Sequence, residues 1–416
     1  MSVTPPSDSA SPHPSPGWAN QPTPQPTPPP PPTQPAGWYP DPWAQAAWRW
    51  YDGRSWTAHL AEQTAPTPAV GETKKPRLPS FLSIPVVLAA VPAIILLLIA
   101  LIQNWVAVAL GAVPLFIVAP VLIWMDRIEP EPWSSRLHTL LWGAFVAGFI
   151  SLVVNTIFAI VAGAVTSPAT GETLAAVISA PLIEEITKGA GILWMVRRKE
   201  VDSIMDGLVY AGWAGLGFAA IEDVSFFFLA AEQDLLLETF IGRAIFTPFA
   251  HPLFTAWTGL AIGWAVQRRK SLWHTLWGLA LAIGSHAAWN GSITLAESEG
   301  GAIVAGVAIV GFILLFFATI IGVILLRRRD QKRYVELLPQ IAIRYNLPPE
   351  RIMMLLTPRS RSAARKALPD KAARQKFDCE ASAVARLAAL FDHQSQAPPE
   401  DEARLVSMLV NARKDH

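Results

Sequence analysis

Charge is scarce in this chain: Asp, Glu, Lys and Arg make up 16% of its 416 residues, while 52% are apolar. So little charge does not suit a water-soluble protein of this size. The formal net charge is +1, so no global basic field directs the chain to nucleic acid, and no such partner is expected. A single cysteine, Cys379, is present, which excludes an intramolecular disulfide and a Cys-type zinc site. No Lys or Arg precedes Arg49, and the first long apolar run begins at Phe81. A secretory signal peptide is therefore not expected.

What is present changes character along the chain. Residues 1–36 are rich in Pro, Ser, Thr and Gln, with Trp18 almost alone as a large apolar side chain. Such a stretch cannot bury a core, and a disordered, extended arm is expected. Residues 37–60 carry five tryptophans, and Asp52-Gly53 has the composition of a hairpin turn. That combination predicts a small Trp-rich β module. A linker over 61–80 ends in Lys74, Lys75 and Arg77.

Eight apolar segments follow, at 81–102, 105–125, 137–165, 173–196, 203–231, 244–267, 272–293 and 302–326. Each approaches or exceeds the roughly 20 residues a helix needs to cross hydrocarbon. Where no water is present to satisfy backbone groups, a helix is the natural solution. The fold expected for 81–326 is an all-α polytopic membrane domain of about eight transmembrane helices. Basic clusters at 74–77, 197–199, 268–270 and 327–329 all fall on one side of such an arrangement, as do Arg127 and Arg136. The opposite loops carry Glu172, Glu232, Asp234, Glu238, Glu297 and Glu299, with Arg243 the lone basic exception. Lys and Arg mark the cytoplasmic side, so both termini are expected in the cytoplasm. Residues 327–416 have mixed charge and helical apolar spacing, consistent with a small helical tail there.

The residues that do not belong in lipid lie on the fourth to seventh segments. The fourth reads PLIEEITKGAG from Pro181 to Gly191. Each of its ionisable groups costs about 2.5–3.5 kcal/mol on insertion scales. At 100° per residue Lys188 lies angularly between Glu184 and Glu185, so the three share a face. An internal ion pair is one explanation, but one lysine neutralises one carboxylate. The other must be protonated, bind a metal, or face a charged histidine or a water-filled cavity. Gly191, on the Glu184 side, has room for another backbone to come close.

Glu222 lies well inside the fifth segment, and Asp206 at its inner end reads as a boundary cap. His251 opens the sixth segment. His286 and Asn290 share one face of the seventh at i, i+4 spacing. A lone histidine in such a place is ordinarily a hydrogen-bonded core residue. At 1.5 Å per residue from the basic clusters, however, Glu184, His251 and His286 all lie roughly 20–25 Å along their helices, with Glu222 at a similar level. Carboxylates and two histidines at one depth can activate water.

The motifs EExxK (Glu184–Lys188), FxxxE (Phe218–Glu222), HPLFTAWTG from His251 and HxxxN (His286–Asn290) occur in that order. Together with DGLVYAGWAGLGFAAIED from Asp206 to Asp223, they resemble the PrsW family of membrane proteases. That family is related to CAAX prenyl endopeptidases and bacteriocin-processing membrane proteases. The resemblance covers about residues 81–326. It implies site-one cleavage of a single-pass membrane protein in the bacterial plasma membrane, with an anti-sigma factor as the best-known substrate type. It also implies that Glu184 and Glu185 are the essential pair and that Glu222, His251 and His286 complete the site. The 37–60 stretch is similar to a short Trp-rich module of unknown function found on actinobacterial membrane proteins, with Trp50-Tyr51 in place of the usual Trp pair.

Two versions of the chemistry are open. In both, a glutamate takes a proton from water that attacks the scissile carbonyl, with Lys188 separating the behaviour of the two neighbouring carboxylates. In one, Glu222, His251 and His286 hold a metal, for which zinc is the candidate. In the other, favoured by analogy with the CAAX relatives, no metal takes part and His251, His286 and Asn290 stabilise the oxyanion. Two rival readings are an ion-coupled transporter, since intramembrane Glu, Lys and His also mark ion paths, and a non-catalytic scaffold that binds a partner helix.

Overall fold

The computed structural model describes residues 37–61 except 44, 47, 52 and 53, then 83–127, 130–296 and 301–345. It also describes scattered positions from 347 to 355, then 357–392 and 399–413. The arm at 1–36, nearly all of the linker and the Asp52-Gly53 turn lie outside these residues. The chain divides into two compact units, Met1–Thr64 and Ala65–His416.

In the first unit, β1 (Gly37–Pro40), β2 (Trp48–Tyr51) and β3 (Trp56–Ala61) form an antiparallel sheet in that order. The register sets Tyr39 opposite Arg49 and Tyr51 opposite Trp56. So small a sheet cannot rely on core area alone. A polar clasp adds to it: the Asp41 carboxylate accepts from the backbone N–H groups of Gln45 and Ala46 and from Arg49 Nε at 2.7 Å. Tyr39 and Trp56 pack edge to face with ring centroids 6.1 Å apart.

The second unit is helical. Helices α1 (Ile84–Gln103), α2 (Trp105–Gly111) and α3 (Val113–Met125) lead to α4 (Trp133–Leu141). A π-helical stretch, Trp142–Ala147, joins α4 to α5 (Gly148–Val165). Helix α6 (Pro168–Leu174) runs through a second π turn, Ala175–Ser179, into α7 (Ala180–Arg197). Then come α8 (Ile204–Glu232), α9 (Leu236–Phe240) with a third π turn (Ile241–Phe246), α10 (Ala250–Gln267) and α11 (Leu276–Ala296). The 44-residue α12 (Gly301–Arg344) continues without a break past residue 326, where the membrane domain was expected to end. Helices α13 (Pro358–Ala367), α14 (Lys371–Asp392) and α15 (Pro399–Arg413) complete the chain.

Helix thus occupies every one of the eight apolar segments. Among the described residues, five helical stretches are long and apolar enough to cross a membrane: 84–103, 105–125, 133–165, 204–232 and 301–342. The three that fall short are α7, α10 and α11. These carry Glu184, Glu185, Lys188, His251, His286 and Asn290, and their polar content is what lowers their hydropathy.

Helix α8 is the hub, in contact with α2, α3, α4, α7 and α10. Its first four turns, Asp206 to Ala219, are buried on every side. Glycine makes such close packing feasible. A Cβ on Gly217 would lie 1.9 Å from the Leu140 carbonyl oxygen, and one on Gly215 would lie 2.7 Å from the Pro252 nitrogen. At the start of α8 the Ser203 hydroxyl accepts from the Asp206 N–H, and the Asp206 carboxylate accepts from the Ser203 N–H. That is a capping box, the boundary role expected of Asp206. Just past the ends of α7 and α10, Lys199 and Arg269 adopt positive φ of 59° and 51°, closing each helix in the left-handed conformation. The outer faces of α1, α5 and α12 expose Leu88, Ile95, Ile157, Ile160, Val307 and Leu314, a surface suited to lipid.

Candidate active site

Helix α7 presents Glu184, Glu185 and Lys188 on one face. The Lys188 ammonium donates to both carboxylates, at 3.3 Å to Glu184 Oε2 and 2.9 Å to Glu185 Oε1. It also lies 3.0 Å from His251 Nδ1 and 3.8 Å from the centre of the Phe218 ring. Glu185 and Lys188 are wholly buried, and Glu184, His251 and His286 are nearly so. A cation in such surroundings is tolerable only because acceptors and an aromatic face replace its water.

His251 reaches this cluster because the Gly215 position lets the start of α10 lie directly against α8. Its Nε2 is 3.0 Å from Glu222 Oε2. From α11, His286 Nδ1 lies 3.2 Å from Glu185 Oε1, and its ring stacks on Phe254 with centroids 4.8 Å apart. The second oxygen of Glu185 accepts from Thr255 Oγ1 at 2.8 Å. Glu185 is therefore held on three sides.

Six of the seven expected site residues, Glu184, Glu185, Lys188, Glu222, His251 and His286, come together here. Asn290 is turned elsewhere: its Nδ2 donates at 2.9 Å to the Ala176 carbonyl, in the π turn ahead of α7. In the metal-free version Asn290 was to help stabilise the oxyanion, and this bond instead fastens α11 to that turn. The space over Gly191 is filled by the Trp142 ring, 2.6 Å from where a Cβ would stand, rather than by a neighbouring backbone.

Two participants were not singled out from the sequence. Arg243, on the π turn before α10, pairs with both Glu222 and Asp223. Its place as the single basic residue among otherwise acidic loops was the available signal. Thr255 lies four residues after His251, on the same face of α10, and that spacing could have flagged it.

The donor set fits a divalent ion, though not the set expected. Glu184, His251 and His286 each offer one ligand atom, all within 4.8 Å of one another. His251 Nδ1 and His286 Nε2 are each 3.9 Å from Glu184 Oε2. Each ring gives its other nitrogen to a carboxylate, Glu222 for His251 and Glu185 for His286. Such outer partners orient a histidine towards a metal. Glu222, expected as a ligand, thus stands behind His251. The Lys188 ammonium, 3.0 Å from His251 Nδ1 and 3.3 Å from Glu184 Oε2, competes with such an ion for the same atoms.

A cavity of about 280 Å³ reaches the cluster, and Glu184 and Glu222 are both in its wall.

Residues 131–321 match the family model described as PrsW family intramembrane metalloprotease. Over those residues this chain is similar to the PrsW family. Residues 36–69 match a second model, a protein family of unknown function. "Protease PrsW" of Geobacillus kaustophilus is 33% identical over 149 residues, 35% of this chain and 61% of that protein. "Protease PrsW" of Clostridioides difficile is 28% identical over 163 residues, 38% of this chain and 65% of that protein. The chain thus spans a little over three fifths of the length of these curated relatives. No solved structure matches it. With the PrsW family go multi-pass insertion and the bacterial plasma membrane, in keeping with the apolar helices of this core.

Proposed function

We propose that this chain is an intramembrane endopeptidase that hydrolyses a peptide bond of a single-pass membrane protein, an anti-sigma factor being one such substrate. The observation that carries this reading is the meeting of Glu184 with both histidines at the end of a cavity, inside a core similar to the PrsW family. With eight spans and both termini in the cytoplasm, the cluster would sit in the middle to outer half of the bilayer.

Among the carboxylates, Glu222 is engaged by Arg243 and His251, and Glu185 by Lys188, His286 and Thr255. Glu184, bonded only to Lys188 at 3.3 Å, is the least engaged of the three; it lines the cavity with Glu222 and takes the proton from attacking water. Glu185 orients His286 and keeps Lys188 in place. His251 and His286 lie where negative charge develops on the scissile oxygen. If zinc were held by Glu184, His251 and His286, Glu184 would be a ligand rather than the base, and the ion would lower the pKa of bound water and polarise the carbonyl.

Glu184→Gln keeps the size of the side chain and removes its basicity. New protein termini in membranes from cells making the wild-type chain are expected to disappear with this variant at unchanged protein level. Termini that persist would falsify the reading. Zinc content of the purified full chain checks the metal: it should drop in the His251→Ala/His286→Ala double variant, and equal content in both proteins would remove zinc from the proposal.

A further inference from the structure

The cavity beside Glu184 has walls of two kinds. Its inner end is Glu184 and Glu222; the rest is mostly apolar, formed by Ala93 and Leu97 of α1, Gly148 at the start of α5, and the face of α8 around Ile221. Four uncharged polar residues, Ser151, Asn155, Thr156 and Ser225, interrupt that lining. Ser151, 2% exposed, contributes a buried hydroxyl with no hydrogen-bond partner among the described residues. A buried hydroxyl without a partner is costly and uncommon, and Ser151 stands in the wall of the cavity.

The volume of about 280 Å³ is near the lower end of ligand pockets, roughly 300–1,000 Å³. It admits one large side chain with its adjoining backbone and is far too small for a helix. A peptide whose carbonyl is attacked near Glu184 must place its neighbouring residue about 3.4 Å away along an extended strand. An acyl chain would satisfy the apolar wall but offers the Ser151 hydroxyl no acceptor, whereas peptide carbonyls do.

We propose that this cavity is the subsite for a large apolar side chain, of Leu or Phe size, next to the scissile bond, with Ser151 donating to a carbonyl of the same substrate strand. The proposal rests on the endopeptidase reading and adds to it a selectivity.

Gly148 allows a test by filling. A Cβ there meets nothing closer than Ile221 Cγ2 at 3.5 Å, so Gly148→Ala fits without displacement, while Gly148→Leu occupies the cavity. Leu97→Trp fills it from the α1 side, and decides the matter if Gly148→Leu does not fold. The measurement is the profile of new termini in membranes of cells making the full chain, with Glu184→Gln defining which cuts belong to it.

In the filled variants, cuts flanked by Leu, Ile or Phe at one position should fall about ten-fold or more, while cuts with Gly, Ala or Ser there persist. Ser151→Ala should lower all cuts several-fold and leave the side-chain preference alone. An unchanged profile in the filled variants overturns the proposal. So does an equal loss of all cuts in folded protein, which would mark the space as an access route or an acyl-chain site. Cuts that survive Glu184→Gln would instead sink the endopeptidase reading itself, and the subsite with it.

Discussion

Two buried ionic clusters stand in the helical unit, and they are built on opposite principles. Near the end of α3, Asp126 pairs with Arg136, and Glu131 pairs with Arg386 of α14 at 2.7 Å. Tyr210 donates to Glu131 at 2.5 Å, and the Glu131 N–H donates to Asp126 Oδ2 at 3.0 Å. Here Asp126 and Glu131 each face a separate guanidinium, and Arg386 also reaches Glu200 at 3.5 Å. Around α7, by contrast, Glu184 and Glu185 share the one ammonium of Lys188, and Glu222 and Asp223 share Arg243. Matched ions in a packed interior fix geometry and have nothing left to react with. A surplus of acceptors, held by two histidines and opened to a cavity, retains capacity for a proton or a metal. Burial alone therefore does not mark a site; unmatched charge with access to it does.

The sharpest challenge to this contrast is Lys188→Met. It removes the shared cation and strands two buried carboxylates, so stability should fall by about 3–5 kcal/mol, read by thermal unfolding in detergent. Combining it with Glu184→Gln and Glu185→Gln should restore most of the loss, because no buried charge then lacks a partner. A stable single variant would show that the cluster is matched by groups other than Lys188.

Next in size is Arg386→Met. Glu131 loses its partner, but α14 can lift away and rehydrate the carboxylate, so the cost should be local, roughly 2–3 kcal/mol. Faster limited proteolysis after residue 345, with substrate cutting intact, is the expected outcome. Loss of cutting would mean that the second cluster also serves the reaction.

The third test is with pH. Burial pushes the Glu131 carboxyl from its ordinary 4.5 up to about 8, against the pull of Arg386 and with Asp126 and Asp202 adding to the rise. Between those values the packed state holds a proton that the opened state gives up. Docking of α14 should therefore be firmest below about 4.5 and weaken as pH rises towards about 8. Hydrogen exchange in α14, corrected for intrinsic rate, reads this directly; a flat profile would contradict the burial argument.

Much of the fold could be read from residues alone. Apolar runs of span length have one way to satisfy their backbone in lipid, and the described helices fall on all of them. The Ser203–Asp206 cap was equally readable, because it is a local interaction. That Glu184, Glu185, Lys188, Glu222, His251 and His286 would meet was legible from polar residues recurring on successive helices. The wiring of the site was not: Arg243 counted as a loop cation and Thr255 as a helix residue, and Glu222 was expected at the metal rather than behind His251.

The sequence by itself determined which segments are helices and which of their side chains cannot rest in lipid, since both follow from local composition and the solvent. Only the tertiary structure decided which nitrogen of each histidine faces which carboxylate, that Lys188 bridges both glutamates, that Asn290 turns to Ala176, and that Arg386 meets Glu131. Those depend on the rotation and depth of each helix against its neighbours. Such rotation is set by close backbone contacts like Gly217 on Leu140 and Gly215 on Pro252, where a methyl-sized Cβ would force the helices apart.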